Sequence, residues 1–548
     1  MRRLLGLLII ASLASCLFAA GGVFPISHPV YSEMEALYVL CGNAGLSPSR
    51  PWSGKEVSRM LSSLDEASLS VTGKALFNRI SSYLEAEEAY LDAGLVLSPE
   101  AYWHSNDEDF VTDSQWAYGF NERKPFLSLS LSAGIGPFHT YSELSYGYGR
   151  VTNDDVFKSL DEIFGEDFPG VGAIVGADEG SLKIPVESAV YSPSFLFNLP
   201  PMDMLEIDIP RRTALLFSFD SIDFGYLRDR MQWGSARIGN FIFDSHVEKM
   251  DRLFLKAQSR RFSFDYVIYF PETDWSNANQ NDYDGKSRLM FAHMLTLRPI
   301  DRLSISISEN VMYSFTTAEP GYFNPATIFH NLNNSDTLNA LAHLEIVYVP
   351  INGLKLYAQG VLDQATAPTE GDSQAAAFGL DAGASYTWGK SRDIFTVALE
   401  GAYTSPYLYR RQGVDFIIFN RYSINDPYGK FPIFTFIGFP YGGDAIAAQL
   451  EASWQRVGSL SLETRILYIL HGEVGLFSPH SSKGNGHAPD IKDWTPTGEV
   501  SHNIVASATF RWPFSVSILD FEAFVDLSYL HLGGKDDIQL SFGISAAL

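Results

Sequence analysis

From residue 91 onward the chain is built of runs in which apolar and polar residues alternate. Phe378, Leu380, Ala382, Ala384, Tyr386 and Trp388 interleave with Gly379, Asp381, Gly383, Ser385 and Thr387. Ile446, Ala448, Leu450, Ala452 and Trp454 interleave with Ala447, Gln449, Glu451 and Ser453, and Ile504 to Trp512 and Leu127 to Ile135 repeat the pattern. Phe262, Phe264, Tyr266, Ile268 and Phe270 face away from Ser263 and Asp265. Successive strand residues point to opposite faces, so each run predicts a strand with one apolar side. About twenty such runs follow residue 91, near the ~10-residue length of a tilted membrane-spanning strand and longer than the ~5–6 residues usual in soluble sheets. Aromatic residues at run ends (Tyr386, Trp388, Trp454, Trp512) fit interfacial girdles. The last run, Ile538 to Leu548, carries the same apolar ribbon. Left unpaired in water it would invite aggregation, so it is expected to close a barrel in lipid. The fold class expected is an all-β transmembrane antiparallel β-barrel over 91–548.

Residues 22–90 keep a different period and predict a small α-helical domain. Ser32 and Glu35 read as a capping box ahead of Met34, Leu37, Tyr38 and Cys41, with Gly42 ending the helix. Ser53 and Glu56 read as a second box ahead of Val57, Met60, Leu61 and Leu64. A third helix is expected to carry Leu76, Phe77, Ile80, Tyr83 and Leu84. Three such stripes pack into one layer, expected on the periplasmic side of the barrel.

Before these helices, Arg2 and Arg3 precede an apolar stretch from Leu4 to Leu13, which predicts a signal peptide over 1–21. Ala19-Ala20-Gly21 suits ordinary cleavage, the expected route because a barrel needs no second anchor. Leu13-Ala14-Ser15-Cys16 resembles a lipobox and is the alternative, with Cys16 lipidated. Either route leaves Cys41 without a cysteine partner, and its place on the first helical stripe predicts an apolar, packed side chain.

Composition sharpens this picture by exclusion. A net charge of −25 lacks the basic footprint that nucleic acid requires. Beyond the N-terminus no apolar run reaches the ~20 residues of a membrane-spanning helix. Acidic residues gather between the runs, in 106–109, 154–167 and 271–274, as solvated loops do. There is no G-x-S-x-G, H-E-x-x-H or P-loop, and the twelve histidines show no metal-ligand spacing. G-V-G-A-I-V-G at 170–176 lacks dinucleotide spacing and reads as a loop. No catalytic residue, cofactor or metal is expected.

Several fragments resemble the capsule assembly Wzi family in order along the chain. They are R-P-W-S-G-K-E-V around Trp52, R-D-R-M-Q-W-G (228–234) running into G-N-F-I-F-D-S (239–245), S-E-N-V-M-Y (308–313), N-P-A-T-I-F-H-N (324–331), Asn339, and L-Y-A-Q-G-V-L-D-Q (356–364). In the second, the family has a tryptophan-glycine pair ahead of an apolar strand. The likeness spans 31–364; the acidic stretch from Asp154 to Asp178 and the C-terminal half do not match. It implies about eighteen strands with helices on the periplasmic face. It also implies a non-catalytic outer-membrane protein that binds or organises surface or capsular polysaccharide. The expected partners are therefore outer-membrane lipid, such a polysaccharide and the barrel-insertion machinery. Insertion is the point at which Leu548, standing where an aromatic residue is usual, matters. The alternative function is a general diffusion porin.

Two groups of residues are candidates for contact with a ligand. Sugar recognition pairs aromatic faces with carboxylates and amides, a mixture found in Trp275, Asn277, Asn279, Asp282 and Tyr283. Tyr407, Tyr409, Arg410, Arg411, Asp426, Tyr428, Tyr441 and Trp494 supply similar mixtures in other loops, where the alternative role is interfacial anchoring. Polar residues inside the runs define a lumen: Glu309, Asn310, His343, Gln359, Glu400, Gln449, Glu463 and Arg465 belong to it. Glu345, Asp363, Glu451 and Arg511 are expected to point inward, because a midplane charge facing lipid costs about 2–4 kcal/mol. Interior ion pairs that only stiffen the wall are the plainer role for these groups.

Overall fold

A computed structural model describes residues 22–84, 89–110, 115–119, 122–148, 158–159, 183–184, 194–199, 207–272, 287–315, 317, 319–329, 338–364, 376–410, 414–423, 430–475 and 494–548. Eighteen antiparallel staves close into one barrel. The first nine are β1 (Ala89–Leu97), β2 (Leu127–Ile135), β3 (Phe138–Tyr146), β4 (Ile207–Ser218), β5 (Ile222–Asp229), β6 (Met250–Gln258), β7 (Phe262–Tyr269), β8 (Ser287–Ile300) and β9 (Leu303–Phe315). The rest are β10 (Leu338–Ile351), β11 (Leu354–Gln364), β12 (Ala377–Lys390), β13 (Asp393–Thr404), β14 (Ala445–Arg456), β15 (Ser461–His471), β16 (Ser501–Val516), β17 (Leu519–Leu532) and β18 (Lys535–Ala547). Short turns such as 352–353 and 391–392 gather at one end, and nearly all the long connections lie at the other.

The seam joins the two ends of this sheet. Leu95 and Leu548 exchange backbone hydrogen bonds at 3.1 and 2.9 Å, and Val96 and Leu97 pair with Ala547 and Ala546. Pro99 interrupts the first stave, which resumes as Glu100–His104 and pairs with Gly543–Gln539. Asp537 staples this stretch from within, accepting from Ser105 N at 3.0 Å, Ser105 Oγ at 2.9 Å and Asn106 N at 3.0 Å.

The alternation read from the sequence sets the two faces of the wall. On β18, Ile538, Phe542 and Ile544 are exposed outward while Gln539 and Ser541 are buried inward. Leu131, Ile135, Leu399 and Ile466 continue an exposed apolar belt around the outside. On a closed barrel of this kind such a belt is the surface that meets lipid.

Three helices precede the barrel and sit in its short-turn mouth: α1 (Val30–Leu40), α2 (Gly54–Ser62) and α3 (Val71–Ser82). Ser53 caps α2 by accepting from Glu56 N at 3.0 Å, as its box predicts. The Ser32 box does not form. α1 starts three residues earlier, with Pro29 at its N-cap, and Ser32 Oγ instead donates to the Pro29 carbonyl. Gly42 ends α1 at φ +71°. Trp52, Leu37, Leu76 and Ile80 form a core that takes in Ile394 and Val457 of the wall, so the helices plug the barrel. Cys41 is half-buried against this core.

Two connections depart from expectation. The apolar stretch 239–245 is no strand: residues 230–249 fold inward as a loop across the lumen. Phe241, Ile242 and Phe243 are buried there against Phe439, Tyr409 and Phe416. A strand at 239–245 would leave alternate phenylalanine and isoleucine side chains facing opposite sides, whereas this lumen buries all three. The second connection, 319–329, folds back over the outer wall. Tyr322 and Phe329 cover Tyr266, Phe291, Val311 and Tyr313. Beneath this flap lies Glu309, on the outer face opposite to Asn310. Its carboxylate lies 3.5 Å from His293, accepts from Phe329 N at 2.9 Å, and is sealed by Phe329 stacked on His293 at 5.0 Å. Adjacent strand residues cannot share a face, so the lumen keeps Asn310 and the flap supplies Glu309 with partners.

Candidate functional site: a cavity beside the inner loop

The inner loop is fixed by two carboxylates that the wall aims at its backbone and by one arginine of its own. Ser235 N donates to Glu345 at 2.7 Å, and Arg237 N and Ile238 N donate to Glu400 at 2.8 Å each. Tyr357 adds a phenolic hydrogen bond to Glu400. The Arg237 guanidinium reaches Glu451 on β14 at 2.6 Å and Glu35 on α1 at 3.0 Å. Lys355 also pairs with Glu35, at 3.0 Å. Burial opposes both charges of the loop-to-helix pair. Lys355, Arg237 and Arg50 nevertheless hold the Glu35 carboxyl well below its ordinary range, and Glu35 and Glu451 raise Arg237. Gly234 is required where it stands. At φ +120°, a Cβ there would meet Asn240 Oδ1 at 2.3 Å and Gln359 Nε2 at 2.6 Å.

Beside this loop lies a half-open cavity of about 590 Å³, within the roughly 300–1,000 Å³ range of small-ligand sites. Its walls are the loop itself, the segment with Trp116 and Glu122, Tyr441, and the inner faces of β15, β16 and β17. The lining extends from Arg465, midway along β15, to Ser501 and Leu532 at the long-loop end. Several polar groups on it are already engaged. Asp244 accepts from Asn240 N at 2.9 Å and from Asn240 Nδ2 at 3.0 Å, and contacts His246 Nδ1 at 3.0 Å. Burial would raise the Asp244 carboxyl, but His246 and Asn240 together hold it below its usual value. Glu122 accepts from Gly119 N at 3.0 Å.

The sequence candidates are distributed unevenly around this site. Glu345 and Glu451 hold the inner loop. Asp363 accepts from Tyr409 N at 2.8 Å and so fixes the long connection after β13. Arg511 sits apart, 3.9 Å from Glu522 and 6.0 Å above the Phe524 ring. Trp275, Asn277, Asn279, Asp282 and Tyr283 lie outside the described residues, as do Arg411, Asp426 and Tyr428. Tyr407, Tyr409 and Arg410 are not rim groups. They are buried, and Tyr409 Oη donates to the Phe241 carbonyl at 2.7 Å while accepting from Phe439 N at 2.8 Å. Arg465 and Tyr441 do line the cavity, and Trp494 is exposed. Gln232 and Asn240 lie in the fragments 228–234 and 239–245 that carried the resemblance, while Trp116 and Arg237 were not singled out by any pattern in the sequence. Among the described residues no group of three or more His, Cys, Asp or Glu side chains is placed to hold a metal ion.

These features define a closed eighteen-stranded barrel of the outer-membrane kind, plugged from one end by helices and crossed by an inward loop. Among solved structures it is similar to Wzi, an outer-membrane protein involved in group 1 capsule assembly in Escherichia coli and described as a carbohydrate-binding β-barrel. The TM-score is 0.56 at 13% identity, over 96% of this chain and 99% of that one. The chain therefore has a Wzi-like barrel fold. Pseudomonas aeruginosa OccK8 (OprE) aligns with a TM-score of 0.39 at 9% identity, over 84% of this chain and 98% of that one. No family model matches the chain, and no curated protein matches it.

Proposed function

We propose that this chain is a non-catalytic outer-membrane protein of the capsule assembly Wzi family that binds surface polysaccharide through the cavity beside its inner loop. The short-turn end and its helices face the periplasm, and the cavity opens toward the cell surface, the usual arrangement of turns and loops in such barrels. One observation carries the reading. The lumen is crossed by a loop that wall carboxylates and an arginine tie down, and a half-open cavity mixing aromatic, amide and charged groups is left beside it. A diffusion porin needs a continuous aqueous path, which that loop and the plug helices oppose. The exposed apolar belt supports lipid as the surrounding medium, and the closing strand β18 supports recognition by the barrel-insertion machinery.

Purified protein in planar bilayers is expected to stay silent, and large open steps would favour the porin instead. Binding to a glycan array, weakened by Tyr441→Ala and Trp116→Ala, tests the carbohydrate reading directly. If the array stays blank with well-folded protein, that reading is wrong. The same array tests Trp275 and Tyr283, which we propose as rim contacts. Their alanine variants are expected to lose affinity for long chains and to keep it for short ones.

A further inference from the structure

Arg465 stands out within the cavity. It is registered opposite Glu451 across β14 and β15, yet Glu451 spends its carboxylate on Arg237 at 2.6 Å. Arg465 forms no ion pair among the described residues, and its Nε is buried without a hydrogen-bond partner. The carboxylates that share the lining, Asp244 and Glu122, already accept from Asn240 and from Gly119. A partly buried guanidinium that Glu451 reaches only through space, and whose Nε lacks a hydrogen-bond partner, costs free energy that a bound anion would recover. Its planar fork suits a carboxylate through two parallel hydrogen bonds. In the same lining Tyr441, Ile238 and Leu467 offer apolar and aromatic surface, and Asn503 and Ser501 offer polar groups further toward the long-loop end. That combination fits a ring bearing hydroxyls and one carboxylate better than a bare inorganic anion. Below the cavity, the Arg237–Glu35 pair ties the inner loop to α1, so a polymer finds no way through.

Resting on the carbohydrate reading, we propose that the cavity recognises a chain end, a terminal sugar residue whose carboxylate pairs with Arg465. Such a site counts ends rather than chain length, so it would hold one polysaccharide terminus per barrel.

The test uses the whole protein in detergent micelles and isothermal titration. The probes are a trisaccharide with glucuronic acid at its non-reducing end, the methyl ester of that acid, and a trisaccharide with the acid internal. The wild type is expected to prefer the terminal acid over its ester by at least about tenfold, the scale of one charge-assisted contact. Arg465→Gln should erase that ratio by weakening the acid far more than the ester, and Arg465→Lys should restore part of it. Equal affinity for acid and ester, or an unchanged ratio in Arg465→Gln, overturns the assignment of Arg465 and leaves carbohydrate binding standing. Equal affinity for internal and terminal acid overturns end recognition. Absence of binding to all three probes, together with a blank glycan array, removes the carbohydrate reading as well.

Discussion

Replacing Arg237 with methionine keeps the unbranched stem of the side chain and removes the charge that joins three elements. In the wild type its two terminal nitrogens pair with Glu451 at 2.6 Å and Glu35 at 3.0 Å. The variant leaves Glu451 without this partner, and Glu35 keeps only Lys355 among its close ion pairs. Breaking a fully buried pair costs about 3–5 kcal/mol. The three side chains here retain between 12% and 20% exposure, which lowers the expected cost to about 2–3 kcal/mol. That energy acts on seating of the inner loop and α1, because the wall keeps its own backbone ladder. Amide hydrogen exchange should therefore quicken by about 30- to 150-fold across α1 and residues 235–238. Exchange in β16 and β17, and the heat-modified gel mobility of the barrel, should not change. If both segments exchange within about twofold of the wild type, the arginine does not hold the plug, and the apolar core around Trp52 must seat it alone.

Other outcomes follow from the same structure. Burial raises the Glu33 carboxyl on α1 to about 7. The folded plug thus binds a proton more tightly than the unfolded chain, and the Glu33 contribution is lost as pH rises from about 4.5 to 7. His28 is lowered to about 4 by burial and then by Arg79, and it acts oppositely, weakening the plug as pH falls from about 6.5 to 4. Glu33→Gln should remove the loss on the alkaline side and leave the acid side intact, read from exchange in α1 between pH 4 and 8; an unchanged profile would refute it. Gly234→Ala forces a Cβ against Asn240 and Gln359, and should make residues 230–249 protease-sensitive while the barrel stays intact. Phe329→Ala removes the ring stacked on His293. It should free the outer flap by about 3 kcal/mol, seen as cleavage within 319–329 and no loss of wall exchange protection.

Much of the wall was legible because lipid outside and polar groups inside impose a period of two, as on β12, where Phe378 to Trp388 read outward without exception. Ser53 announced α2 because a cap is a local contact, whereas the Ser32 box was outcompeted by a helix start three residues upstream. The inner loop was not legible. Phe241, Ile242 and Phe243 are apolar on every side because the lumen buries them on every side, and an apolar run of that length looks like a strand. Glu309 misled for the opposite reason. Its outward direction follows from parity with Val311 and Tyr313, but the residues that neutralise it arrive from a connection distant in sequence. The cavity depends on Arg465 being left over once Arg237 takes Glu451, and no spacing along the chain records that choice.

The seam has a kinetic meaning. Leu95 and Leu548 are roughly 450 residues apart, and joining such distant points in a flexible chain costs about 5 kcal/mol of closure entropy on the logarithmic scale. The intervening hairpins each close at little cost, so the sheet can grow stave by stave while its two margins remain apart. The last event is then a zippering, and Asp537, with three donors waiting on residues 105 and 106, lies beside the line along which it occurs. Until that zipper shuts, the margin of β18 is an open template for another chain. The single aspartate therefore bears on how long a nascent barrel stays vulnerable, more than on how stable the finished one is.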